Sequence, residues 1–138
     1  MSQYVELHAH SAYSFLDGAS QPEELAARAA ELGYPALALT DHDGVYGSLE
    51  FAHAAKHFGV RAITGAEVTL VGGAHVTLLV EDSRGYGNLC RLLTAAHAHT
   101  RDNTTRDPQP PALDPQLLVE HNAGLVCLSG CDAPSRNE

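Results

Sequence analysis

Ala36-Leu37-Ala38-Leu39-Thr40-Asp41-His42-Asp43 turns from wholly apolar to polar within a few residues, and its reading decides the fold. A continuous apolar run of this length fits a strand buried on both faces of a parallel sheet, which places the polar residues behind it at the strand's C-terminal end. Helical patterns flank it on both sides. Upstream, Ser20-Gln21-Pro22-Glu23-Glu24 supplies a cap, an early proline and first-turn acids for a helix ending at Gly33, with Leu25, Ala29 and Leu32 as its apolar stripe. Val5 to Ala9 precedes that helix as a first short strand. Downstream, Phe51, Ala54, Ala55 and Phe58 repeat at helical spacing, so a helix is expected from about Tyr46 to Phe58 with Gly59 as its stop.

Arg61 to Leu70 reads as a third strand, and Val71-Gly72-Gly73-Ala74 as a tight turn into a fourth, His75 to Val80, so these two are expected to form a hairpin. Leu89, Leu92, Leu93 and Ala96 mark one face of a third helix. Thr100 to Ala112 is a polar, proline-rich loop, Asp114-Pro115 caps a short helix running to about His121, and Leu125 to Leu128 is the last strand. Alternating strands and helices predict an α/β fold with a mainly parallel sheet, whose functional groups gather at the C-terminal strand ends.

The chain has 138 residues, enough for one domain, and its 44% hydrophobic content is ordinary for a protein that buries a core. Eight Lys and Arg against seventeen Asp and Glu give a net charge of -9, which excludes a domain holding nucleic acid mainly by a basic surface. A phosphate-bearing substrate would need cations other than Lys and Arg, and nine histidines favour metal as their source. The three cysteines, Cys90, Cys127 and Cys131, show no repeated CxxC spacing, which points to a reduced compartment rather than a disulfide framework or zinc ribbon. Cys90 and Cys127 are expected in the core. No apolar run approaches the roughly 20 residues that cross a bilayer, and no leader pattern opens the sequence, so a cytoplasmic chain with no membrane partner is expected.

His8-Ala9-His10 sits at the end of the first strand, where side chains at i and i+2 point the same way and two imidazoles converge on one point. Asp17 follows in the first loop, His42 ends strand two, Glu67 lies in strand three, His75 begins strand four and Cys131 follows strand five. All but His75 fall on the rim that carries function in such a sheet. Glu67 stands out because a carboxylate following Ala62-Ile63-Thr64-Gly65-Ala66 is costly to bury without a partner. Plainer readings stay open: His42 as a helix cap, Asp17 as a turn residue before Gly18, His75 as a hairpin residue, Cys131 as an inert thiol. Mixed imidazole, carboxylate and thiolate donors suit zinc, and the carboxylates also admit manganese, magnesium or iron. Two other histidine pairs read as decoys. His53 and His57 have the spacing of the HExxH zinc motif, but Ala54 stands where that motif needs Glu. His97 and His99 end a helix, where i and i+2 project about 200° apart.

Together, Glu6-Leu-His-Ala-His-Ser11, Phe15-Leu-Asp-Gly-Ala-Ser20, Leu39-Thr-Asp-His-Asp-Gly44, Gly65-Ala-Glu67, His75-Val-Thr-Leu-Leu79 and Leu128-Ser-Gly-Cys131 resemble the polymerase and histidinol phosphatase (PHP) domain at the N-terminus of bacterial C-family DNA polymerases, the DNA polymerase III alpha subunit type. The Phe-Leu-Asp-Gly-Ala-Ser loop, Asp43-Gly-Val-Tyr-Gly47 and Gly85-Tyr-Gly-Asn-Leu-Cys-Arg-Leu92 look most like the error-prone branch. The resemblance implies a distorted seven-stranded β/α barrel with a three-metal site on its C-terminal rim. His8, His10 and Glu67 would hold one ion, Glu67 would bridge to a second held by His75 and Cys131, and Asp17 and His42 would hold a third, with Asp41 and Asp43 supporting them from behind. The family's later Asp-x-His pair has no counterpart, since no His follows His121. Residues 1–138 therefore read as one domain, incomplete at its C-terminal side, with at most two well-held ions, zinc or manganese before iron or magnesium.

In such a domain the metals would activate a water and neutralise phosphate oxygens, with no side chain as nucleophile. The implied activity is phosphoester hydrolysis, as 3′-5′ exonuclease at a DNA 3′ end or as pyrophosphatase. A catalytically silent structural module and a stand-alone histidinol-phosphatase-like enzyme are the alternatives. About five strands cannot close the barrel, which exposes an edge and predicts self-association or strand exchange.

Overall fold

The computed structural model describes residues 4–100 and 107–129. Its elements follow the order β1 (Glu6–Ala9), α1 (Pro22–Glu31), β2 (Ala36–Leu39), α2 (Ser48–Phe58), β3 (Arg61–Thr69), β4 (His75–Val80), α3 (Ser83–Ala96), α4 (Pro115–Glu120) and β5 (Leu125–Ser129). The five strands form one sheet in sequence order, and the fold class is α/β as expected. All four residues of β2 are buried, as the apolar run required.

The sheet is not mainly parallel. β1 pairs with β2 and β2 with β3 in parallel, whereas β3 with β4 and β4 with β5 are antiparallel. The physical reason at the first reversal is the short turn after β3, which can join only antiparallel neighbours; parallel strands need a crossover of a dozen residues or more. In the resulting hairpin Thr69 faces His75 and Glu67 faces Thr77. His75, read from sequence as lying away from the rim, is therefore on it, because a reversed β4 starts where β3 ends.

Two cores sit on the sheet. Ala26, Ala29, Leu37, Leu39, Phe51, Ala55 and Val60 join α1 and α2 to the parallel half. Ala66, Val68, Leu78, Leu89, Leu92, Leu93 and Ala96 join α3 to the hairpin, with Leu113 closing the cluster. The α3 face matches its sequence reading. The α1 stripe matches in part: Ala29 is buried and Leu25 packs against the core, but Leu32 is 49% exposed and the small Ala26 is buried against the α2 cluster instead. Cys127 also departs from expectation, being exposed on β5, which has β4 as its one neighbour among the described residues, while Cys90 is partly buried.

Candidate metal centre

The end of β1 delivers His8 and His10 to one side of the sheet, with ring centroids 4.9 Å apart and their Nε2 atoms 3.2 Å apart. Pairing between β2 and β3 continues beyond Leu39: Glu67 N donates to the Asp41 carbonyl and Asp43 N to that of Glu67, at 3.1 and 2.7 Å. That extension sets His42 beside Glu67. One buried carboxylate thus becomes the meeting point of four strand ends.

The two oxygens of Glu67 face different imidazoles. Oε2 touches His8 Nε2 and lies 3.0 Å from His10 Nε2, while Oε1 lies 3.4 Å from His42 Nδ1 and 3.2 Å from His75 Nδ1. Asp17 completes the arrangement, its Oδ2 standing 2.8 Å from His10 Nδ1 and 2.7 Å from His42 Nε2. Three donor groups result: His8, His10 and Glu67; His10, Asp17 and His42; and His42, Glu67 and His75, each with its atoms within 4.8 Å of one another.

Burial pushes the Glu67 carboxyl toward a higher pKa, but hydrogen bonds from His10 and His8 and the charges of His42 and His10 outweigh it and hold the value at about 2. Hydrogen bonds from His42 and His10 likewise lower Asp17. The hydrogen bond to Glu67 raises His10 above its ordinary imidazole value, burial opposes that shift, and Asp17 reinforces it. Both carboxylates are therefore kept ionised, as a cation site requires.

The donor set fits a metal. Ligands about 2.1 Å from a tetrahedral ion stand roughly 3.4 Å from one another, the scale of the contacts here. His75 supplies a sharper test: its Nδ1 is buried and, although near Glu67 Oε1, has no hydrogen-bond partner among the described residues. A buried ring nitrogen without a partner carries a desolvation cost that coordination would remove.

Asp41 and Asp43 touch none of these donor atoms in the contacts found among the described residues; they act through the backbone and the loops. Asp41 is buried and accepts from Ser11 N, Ser11 Oγ and Ser14 Oγ at 2.6 to 2.8 Å, and Ser14 Oγ in turn accepts from His42 N at 3.0 Å. The loop bearing Asp17 is thereby fastened to the strand bearing His42. It is also tightly closed, since a Cβ on Gly18 would meet the Ser11 carbonyl oxygen at 1.9 Å. Asp43 has a left-handed backbone, φ 50°, and accepts from Thr69 N and Oγ1 at 2.7 and 2.8 Å, which ties His42 to the hairpin end. Ser11, Ser14 and Thr69 had not been singled out in sequence; the available signal was a hydroxyl directly after His10 and another two residues after Glu67.

Cys131 lies outside the described residues. The decoys remain apart from the centre. His53 and His57 are exposed on α2, His97 Nε2 lies 2.8 Å from the Asp43 carbonyl oxygen, and His99 Nε2 lies 2.9 Å from that of Pro110.

The family model of the PHP domain matches residues 6–134. The chain belongs to the PHP domain family. Among curated relatives of this PHP domain, an error-prone DNA polymerase of Symbiobacterium thermophilum is 46% identical, over 93% of this chain and 13% of that protein. Error-prone DNA polymerases of Mycobacterium bovis and Mycolicibacterium paratuberculosis are 54% and 51% identical, over 68% and 93% of this chain and 10% and 12% of theirs. The PHP domain described here thus spans about an eighth or less of the length of these relatives. Among solved structures, one assigned to the metal-dependent phosphoesterases, from Bifidobacterium adolescentis, superposes with a TM-score of 0.59 at 25% identity, over 77% of this chain and 37% of that one. An amidohydrolase from Chromobacterium violaceum gives 0.58 at 36% identity, over 69% and 34%. The membership and the polymerase resemblance read from the sequence are both met.

Proposed function

We propose that this PHP domain is the metal-dependent phosphoesterase module of an error-prone DNA polymerase, acting in the cytoplasm at a DNA 3′ end or on pyrophosphate. The observation that carries the reading is the division of Glu67, whose two oxygens serve separate groups of imidazoles. His8, His10 and Glu67 would hold one ion, Glu67 and His75, with Cys131, a second, and Asp17 and His42 a weaker third. Zinc or manganese suits these donors best, with iron or magnesium also compatible, and at most two ions are expected to be well held. A divalent ion would supply Lewis acidity and positive charge toward a phosphoryl group, which an acidic chain with few Lys and Arg lacks.

The chain's own residues orient that chemistry. Asp17 fixes the His10 and His42 rings through Nδ1 and Nε2 respectively, and Asp41, through Ser11 and Ser14, fixes the loop that carries Asp17. The polymerase relatives favour this reading over a stand-alone phosphatase. The fastening of the Asp17 loop by Asp41 through Ser11 and Ser14 also suits a second reading, a metal-stiffened structural module without turnover.

Elemental analysis of the purified chain, paired with release of phosphate or nucleotide before and after chelation, separates the two. Bound metal with chelator-sensitive release is expected. Metal without such release would leave the structural module, and absence of metal would overturn both readings.

A further inference from the structure

A cavity of about 390 Å³ opens beside the imidazole cluster, and His42 belongs to both. Its other principal walls are Tyr13, Phe15, Tyr46, His97 and Pro111, with no Lys or Arg among the described residues that line it. Phe15 is 84% exposed and Tyr46 63%, so large rings are presented to water instead of being folded into either core. Two glycines leave room for the tyrosine rings. A Cβ on Gly44 would fall 2.1 Å from Tyr46 Cε2, and one on Gly47 would fall 3.0 Å from Tyr13 Cδ2, so each ring occupies space that a larger residue would take. The Tyr13 hydroxyl donates to Glu50 Oε2 at 3.1 Å, and His97 is held against the Asp43 carbonyl.

A wall of rings without a cation cannot grip phosphate, but it can take a planar group, because aromatic stacking is available to every base irrespective of charge. We infer that this cavity receives the nucleobase of a nucleotide whose phosphate lies at the histidine cluster, with Tyr46 and Phe15 as the residues that set this preference. The inference rests on the phosphoester reading above. It also distinguishes the two substrates named there, since a nucleotide end carries a planar group and pyrophosphate does not.

The test is calorimetric titration of the Mn²⁺-loaded chain with adenosine 5′-monophosphate and with ribose 5-phosphate, which share the phosphomonoester and differ in the base. The nucleotide is expected to bind roughly tenfold more tightly, the scale of one stacked base. Replacing both Phe15→Ala and Tyr46→Ala should abolish the difference while leaving metal content and ribose 5-phosphate affinity unchanged. Tyr46→Phe should retain it, and Gly44→Ala, which removes no ring but crowds Tyr46, should reduce it. Equal affinities in the unaltered chain, or a preference that survives the double substitution, would overturn the inference while leaving the phosphoester reading standing. Failure of both esters to bind the metal-loaded chain would sink that reading and the base subsite with it.

Discussion

A carboxylate on a side chain only 11% exposed in a sheet needs compensation, and at Glu67 it comes from His8, His10, His42 and His75 rather than from Lys or Arg. Imidazole is the choice that also permits a metal, because it can give up its proton and still offer a lone pair near neutral pH. Glu67→Gln keeps the volume and removes the charge shared by two donor groups. It should cost more bound metal, measured by elemental analysis, than His53→Ala on the exposed face of α2; equal losses would defeat the ligand assignment. The type of each donor was legible in the sequence at this scale. Its company was not: His10 stands between Glu67 and Asp17, and His42 between Asp17 and Glu67, a sharing that depends on ring orientation and not on spacing.

At the scale of elements, β2, β4 and the buried face of α3 could be read directly, since apolar runs and helical repeats there coincide with what the fold buries. Strand direction was less accessible. The glycine turn announced the reversal after β3, but nothing in the stretch between β4 and β5 specifies that β5 also runs antiparallel. The stripe of α1 misled at one position, because hydrophobicity favours Leu32, which is left exposed, whereas close packing against α2 favours the small Ala26. The hairpin that places Glu67 and His75 depends on the core behind it, where Leu78 is fully buried. Leu78→Ala should therefore lower stability by about 2–5 kcal/mol in urea unfolding. A loss below about 1 kcal/mol would show that the α3 core does not anchor the hairpin.

The whole molecule is a sheet with two ends. Among the described residues β1 and β5 each have one strand neighbour, and β5 presents Val126 at 39% exposure together with an exposed Cys127. Such an edge offers unpaired backbone donors and acceptors to another strand. The chain is expected to self-associate through β5, with the apparent mass in light scattering rising with concentration. Val126→Lys should shift it toward monomer, and a wild-type chain monomeric at every concentration would remove the edge as a meeting surface. Net charge of -9 opposes that association at low salt, so added salt should strengthen it.

The described donors, from His8 to His75, come from β1 to β4 and the loop after β1, with nothing borrowed from α3, α4 or β5. That has a consequence for the order in which a polypeptide of this kind is made. At a synthesis rate of about 5–20 residues per second, His75 follows His8 out of the ribosome by roughly 3–13 s, so this set of donors is in hand before α3 has begun to emerge. The donors are thus present before they are placed, because the hairpin that aims Glu67 and His75 waits for the α3 core.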